Sequence, residues 1–200
     1  MTTLLDSPAR ISVSPHVLNA VRDEDCNLAV WERPAHPGLA ALLKTSLNDV
    51  RFAAPLSELE ARLAEELAQA GYPETDERAA LIADITALAD RYGAIMQLDA
   101  LSVRLAIVTT DSCRKFHADY VKARLITTYV GTGTQWIDTE DAARVAKDEA
   151  PQNVKTLATG DVGLFKGKLW TQSPAIHRSP PIEGTAERRL ILVLDPARAD

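Results

Sequence analysis

Cysteine is scarce, with only Cys26 and Cys113 in a chain of 200 residues. A protein of this length can bury enough surface to stand without a disulfide. The two cysteines are therefore read as reduced thiols in a cytoplasmic protein rather than as staples of a secreted scaffold. No apolar run approaches the roughly 20 residues that span a bilayer, which argues against a transmembrane segment. The opening MTTLLDSPARISVSPHVL has no basic segment followed by a long apolar stretch, so no secretory signal is expected. Positive charge is also short. The 22 Lys and Arg against 28 Asp and Glu leave a formal charge of −6 and a pI near 5.3. General nucleic-acid binding needs a concentrated basic face, and docking on an anionic membrane needs the same, so neither is expected. Internal repeats and low-complexity tracts are missing too. With 46% hydrophobic residues, the composition fits a single domain over residues 1–200 with a substantial core.

What is present divides into three textures. Residues 1–36 read as an irregular segment in which CNLAVW, Cys26 to Trp31, is the one strand-like run. Residues 37–97 read as a helical scaffold. Leu39, Leu42, Leu43 and Leu47 recur at three- and four-residue steps, as on one face of a helix. Ser57 with Glu60 forms a capping-box pattern before Leu59, Leu63 and Leu67, and Gly71 supplies the stop. Asp76 is the expected cap of a third helix carrying Leu81, Ile85, Leu88 and Tyr92 on one face.

Past Ala100 the period drops to two. SVRLAIVTT, CRKFHAD, ARLITTYV, TQWID, NVKTLA, DVGLFKG, PAIHRS and RRLILVLD are short β-branched or apolar runs, separated mostly by Gly, Pro, Asp or Thr. About eight such strands, with a helical turn in TEDAARVAKDEAPQ, predict a sandwich or jelly roll over residues 98–197. The fold class expected is α+β, with the helices packed outside the strands.

The chain has four histidines, and one of them opens a His-x-Asp pattern in CRKFHADY. In a strand, residues i and i+2 share a face, so His117 and Asp119 can aim an imidazole and a carboxylate at one point. With a second imidazole, from His177 in PAIHRSPP, they make a two-histidine, one-carboxylate set. Such a set suits Fe(II), Mn(II) or Zn(II) and leaves the opposite face of the metal open. The bland alternative is a surface histidine beside a turn aspartate.

The order of the later motifs sharpens this reading. GDVGLFKG, HRSPPIEG and RRLILVL place a glycine-acid strand start, a histidine on the next-to-last strand, a Pro-rich turn and a basic start to the last strand. This order resembles that of the double-stranded β-helix oxygenases that use Fe(II) and 2-oxoglutarate, a likeness confined to about residues 100–195. The whole chain, through NLAVWERP, CRKFHADY, RLITTYVGTGTQW, LFKG, HRSPP and RLILVLD, is similar to the bacterial domain-of-unknown-function family numbered 1826. That family carries no assigned activity, so any implied chemistry comes from the more distant likeness.

That distant likeness implies a jelly-roll, cupin-like core with His117, Asp119 and His177 as metal ligands and 2-oxoglutarate as co-substrate. A guanidinium would clamp the far carboxylate of 2-oxoglutarate. Here the cation comes as a pair, Arg188 and Arg189. Arg189 is favoured because it shares a face with Ile191 and Val193, with Arg188 expected on the outer face against solvent or an acidic neighbour. Thr128 and Tyr129 are candidates to hydrogen-bond the co-substrate, with core packing as their other role. Lys166 is an alternative anion binder. Arg124 and Trp136 either line the substrate side or brace the barrel. Cys113 is read as a small buried hydrophobe, GTGT at residues 131–134 as a turn rather than a phosphate loop, and His16 and His36 as exposed.

Two functional readings follow. One is an oxygenase hydroxylating a small molecule or a protein side chain. The other is a cupin-like metal-binding protein without oxygenase activity, for which the neighbourhood of some family members to zinc-homeostasis genes keeps zinc in view. Oligomeric state is left open.

Overall fold

A computed structural model describes residues 8–197. Strand β1 (Ala9–Ser12) is followed by a 3-10 helix (Pro15–Arg22) and β2 (Leu28–Trp31). A second 3-10 helix (Leu39–Lys44) leads into β3 (Val50–Pro55), then α1 (Leu59–Gln69) and α2 (Asp76–Met96). The C-terminal half contains β4 (Ala100–Val108), β5 (Ala123–Val130), β6 (Gln135–Ile137), α3 (Thr139–Val145), β7 (Lys155–Thr156), β8 (Val162–Lys166), β9 (Ile176–Arg178) and β10 (Arg189–Pro196). Among the described residues no helix is long and apolar enough to cross a membrane.

Seven strands form a large sheet in the order β1-β2-β8-β5-β10-β4-β3, and β7-β6-β9 form a small one. All neighbours pair antiparallel except β1 with β2. Alternation along β10 explains how the large sheet divides the molecule. Leu190, Leu192 and Leu194 join one buried cluster with the helices, while Ile191 and Val193 join a second cluster with Trp136 of the small sheet. Each fully buried leucine on the helix side stabilises by about 1.5–3 kcal/mol relative to exposure. The second cluster lies between the two sheets, and the candidate site is built around it.

The helix stripes behave as their spacing predicts. Leu59, Leu63 and Leu67 of α1 and Leu81, Ile85, Leu88 and Tyr92 of α2 are all buried. The Tyr92 hydroxyl donates to the Ala123 carbonyl at 2.7 Å, which ties α2 to β5. Gly71 ends α1 as expected, at φ 88. Its amide donates to the Ala68 carbonyl and the next amide, Tyr72, to that of Leu67, the paired bonds of a Schellman stop.

Several local expectations change. Ser57 lies inside a 3-10 turn (Leu56–Glu58), and α1 starts after Glu58 with no side-chain cap, so the capping box does not form. Thr75, one residue before Asp76, caps α2 by accepting from the Arg78 amide. Residues 37–97 are also not helix throughout, because β3 alternates buried Val50, Phe52 and Ala54 with outward residues and forms an edge of the large sheet. The first helix shrinks to six 3-10 residues. Similarly, the supposedly irregular N-terminal segment gives β1 and β2 to that sheet.

Candidate metal centre

CRKFHAD is not a strand. Its one rung is an antiparallel bridge between His117 and His177, whose amides donate to each other's carbonyls at 2.9 and 3.0 Å. This rung extends the small sheet past β9 and puts both imidazoles on one side, with ring centroids 4.8 Å apart. On the other side, the Arg178 guanidinium covers the Phe116 ring at 4.4 Å and donates to Gln135. Asp119 is fixed from below, since its carbonyl accepts from the Lys168 amide. That contact requires Gly167, where a Cβ would collide with the Val121 carbonyl oxygen.

His117, Asp119 and His177 each offer one ligand atom, and these atoms lie within 4.8 Å of one another. The His177 Nε2 is 3.3 Å from Asp119 Oδ2, and the His117 Nε2 is 3.7 Å from Oδ1. Each ring has its Nδ1 against a carbonyl, Lys115 at 2.9 Å for His117 and Ala175 at 3.4 Å for His177. A carbonyl only accepts, so the proton of each neutral ring sits on Nδ1 and Nε2 presents its lone pair toward Asp119. That is the arrangement metal-binding histidines use.

The carboxylate is divided. Oδ1 accepts from the Arg124 guanidinium at 2.6 Å, whereas buried Oδ2 has no hydrogen-bond partner. An orphaned anionic oxygen 3.3 Å from the His177 nitrogen, on a carboxylate whose other oxygen lies 3.7 Å from that of His117, is costly unless a cation joins them, so these donors fit a divalent metal. Burial pushes the Asp119 carboxyl up, but positive charge around it, on His177 and His117 when they are protonated and on Arg124, outweighs burial and holds it below the ordinary carboxylate range. His177 is buried against the Phe165 ring at 4.6 Å, while the His117 side chain is 37% exposed and marks the open side.

Arg189 points between the sheets, as strand alternation predicts, and is fully buried. Its contacts are all neutral oxygens: the Thr132 carbonyl at 2.6 Å, Ser179 Oγ at 3.2 Å and Thr128 Oγ1 at 3.4 Å. Burial pushes it down to about 10, with only Glu187 acting the other way. Ser179 lies two positions beyond His177, so the guanidinium sits about 7 Å along the strand from the histidine.

The shape of this end depends on a register shift where β5 meets Leu190 and Ile191. Across it Thr128 faces inward while Tyr129 and Val130 both pack on the helix side. The turn GTGT closes over Arg189. At Gly131, φ is 85 and a Cβ would lie 2.9 Å from Arg189 Cγ.

Other candidates fall elsewhere. Arg188 faces the helices, half-buried, and donates to the Leu43 carbonyl rather than meeting solvent or an acid. The Tyr129 hydroxyl donates to Asp84 at 2.7 Å on the helix side and cannot reach a ligand between the sheets. Lys166 is buried on that side too, donating to the Asp23 carbonyl. Arg124 braces Asp119 and, through two bonds, Asp195. Trp136 packs in the inter-sheet cluster. Cys113 is exposed rather than buried, with φ 59, and both cysteines are free thiols. His16 is exposed, whereas His36 is half-buried with an unpartnered Nδ1. The sequence reading missed Ser179 and Thr132. The register of Ser179 with His177 was its only signal.

This arrangement of a large and a small sheet defines a class of fold shared with a solved dioxygenase structure. The dioxygenase for auxin oxidation 1 from Arabidopsis thaliana, solved as a 2-oxoglutarate binary complex, superposes with a TM-score of 0.57 at 10% identity, over 97% of this chain and 93% of that one. Weaker likenesses are a full-length Neurospora crassa protein in complex with alpha-KG (TM-score 0.44, 10% identity, 90% and 76% covered) and a Pseudomonas putida prolyl-4-hydroxylase (0.38, 14%, 84% and 99%). No curated protein is similar enough in sequence to be called a relative. The chain belongs to the family described as Protein of unknown function (DUF1826), whose pattern matches residues 12–195.

Proposed function

We propose that the chain is a cytoplasmic, non-haem Fe(II)- and 2-oxoglutarate-dependent oxygenase built on a double-stranded β-helix. The observation that carries this reading is Arg189. A guanidinium buried without a carboxylate partner is costly, and it is expected where a ligand brings the missing anion. Thr128 and Ser179 flank the guanidinium, and His177, whose Nε2 lies 3.3 Å from the orphaned Asp119 oxygen, stands two residues before Ser179, about 7 Å along the chain. A five-carbon dicarboxylate has the length to join the two.

In this reading His117 Nε2, His177 Nε2 and Asp119 Oδ2 hold the metal, and Arg124 keeps Oδ1 engaged so that the carboxylate binds through one oxygen. Iron bound with 2-oxoglutarate supplies the activation of O₂ that hydroxylates a substrate C–H bond. The chain's own part is positional. Arg189 and Thr128 orient the co-substrate, and Phe165, Ile126, Ile191 and Trp136 keep the chamber dry.

Titration calorimetry of the Mn(II)-loaded protein with 2-oxoglutarate tests the reading. Wild type is expected to bind, and Arg189→Ala to lose about 2–5 kcal/mol of that binding while its metal content stays unchanged. Fe(II)-dependent succinate release then reports turnover. Absence of 2-oxoglutarate binding by the wild type removes the oxygenase reading and leaves a metal-binding protein without that activity.

A further inference from the structure

The end of the large sheet beyond Asp119 carries a second basic feature that neither the metal nor Arg189 uses. Arg51 of β3 and Arg104 of β4 are direct cross-strand partners. Both lie on the sheet face that also carries Val193 and Asp195, and Arg104 in turn pairs with Val193 of β10. Like charges directly opposite one another on a sheet repel and are destabilising. A carboxylate would relieve the repulsion, yet among the described residues neither guanidinium has a hydrogen bond or a salt bridge. Asp195, the one acid among the described residues on this part of the face, is consumed by two bonds to Arg124.

These arginines line a cleft of ≈ 1230 Å³. Among the described residues its other charged walls are Lys122, Arg124 and Asp195, so four cations there face one acid. This local charge runs against the −6 of the whole chain. A concave surface on which Arg51, Arg104 and Lys122 outnumber the acids focuses field lines and concentrates anions. Met96, Leu98 and Val193 give the wall an apolar part beside the polar groups of Gln97, Ser102 and Tyr120, which suits an organic body rather than a bare ion. The cleft borders the metal centre through Arg124, whose guanidinium forms part of its wall and donates to Asp119 at 2.6 Å.

We propose that this cleft is the prime-substrate site and that it takes a small organic molecule bearing a carboxylate or phosphate, with the anion held between Arg51 and Arg104. The inference rests on the oxygenase reading for the word substrate. The anion site itself stands on the unneutralised arginine pair.

Phenyl phosphate, benzoate and neutral benzyl alcohol serve as probes, titrated into Mn(II)-loaded protein saturated with 2-oxoglutarate so that Arg189 is occupied. One of the two anions is expected to bind more tightly than benzyl alcohol, and the stronger of the two identifies the anion class. Arg51→Ala and Arg104→Ala should each weaken it by roughly tenfold or more, the scale of a lost charged hydrogen bond. Both variants should retain 2-oxoglutarate affinity. In the absence of probe, neither should lower the thermal midpoint, because each removes a repulsion; a structural role for these arginines would lower it. Anions that bind no better than benzyl alcohol, or arginine variants that bind them as well as wild type, overturn the proposal. Failure of 2-oxoglutarate to bind wild type in the same samples would instead count against the oxygenase reading, with phenyl phosphate and benzoate then titrated alone.

Discussion

Asp119 has two oxygens with different neighbours, and this division determines what single substitutions should do. Oδ2 has no hydrogen-bond partner and the His177 imidazole 3.3 Å away, so removing that imidazole should be felt by a metal before it is felt by the fold. His177→Ala is expected to lower Mn(II) or Fe(II) content, measured by elemental analysis after dialysis, while His16→Ala on the exposed surface leaves it unchanged. Equal losses would mean adventitious binding. Oδ1 belongs instead to a three-residue bridge in which Arg124 also holds Asp195. Arg124→Ala leaves two partly buried carboxylates facing each other without a counter-charge. The expected cost is about 2 kcal/mol in chemical denaturation, kept below the figure for a fully buried pair because solvent reaches the Arg124 side chain.

At the scale of elements, the turn between β5 and β6 and the caps carry most of what can be tested. Gly131→Ala would force a side chain into left-handed backbone and against Arg189. It should cost about 1–3 kcal/mol in stability and weaken 2-oxoglutarate binding, whereas Thr75→Ala at the start of α2 should cost about 1 kcal/mol and leave binding alone. Asp141, in α3, accepts from the Gln152 and Asn153 amides, both at 2.7 Å, and these bonds hold its carboxyl below the ordinary value of 3.8. A lowered folded value means that the contribution is complete above 3.8 and is lost as pH falls through the folded value. Asp141→Asn should therefore be less stable than wild type at neutral pH, and the gap should close below 3.8 in denaturation curves taken at stepped pH. A gap that widens with acid would contradict this sign.

The elements also show where sequence patterns suffice. ARLITTYV forms β5 without change and RRLILVLD forms β10 less its first arginine, since two-residue periodicity is a local signal that burial on both sheet faces enforces. VRFAAP alternates just as cleanly but reads as part of a helical region because leucine-rich stretches surround it. Its strand character comes from the β4 edge it completes, a non-local cause. His117, Asp119, His177 and Arg189 were legible from spacing and order. Arg51 and Arg104 were not, because their meaning lies in a cross-strand register that joins residues 53 positions apart.

For the whole molecule, the rung between His117 and His177 has a kinetic and thermodynamic consequence. The two residues are sixty positions apart, and closing a flexible segment of that length costs roughly 3–4 kcal/mol of chain entropy. Backbone hydrogen bonds and the surrounding sheet bear that cost during folding, before any ligand arrives. Metal uptake thus meets a preorganised pair and should bury little new apolar surface, so calorimetry at several temperatures is expected to give a heat-capacity change near zero. A large negative value would mean that residues 117 and 177 are brought together by the ion itself. The amide protons of these two residues, which donate across the rung, would then exchange fast in metal-free protein and slowly once it is loaded. A preformed rung protects them equally in both.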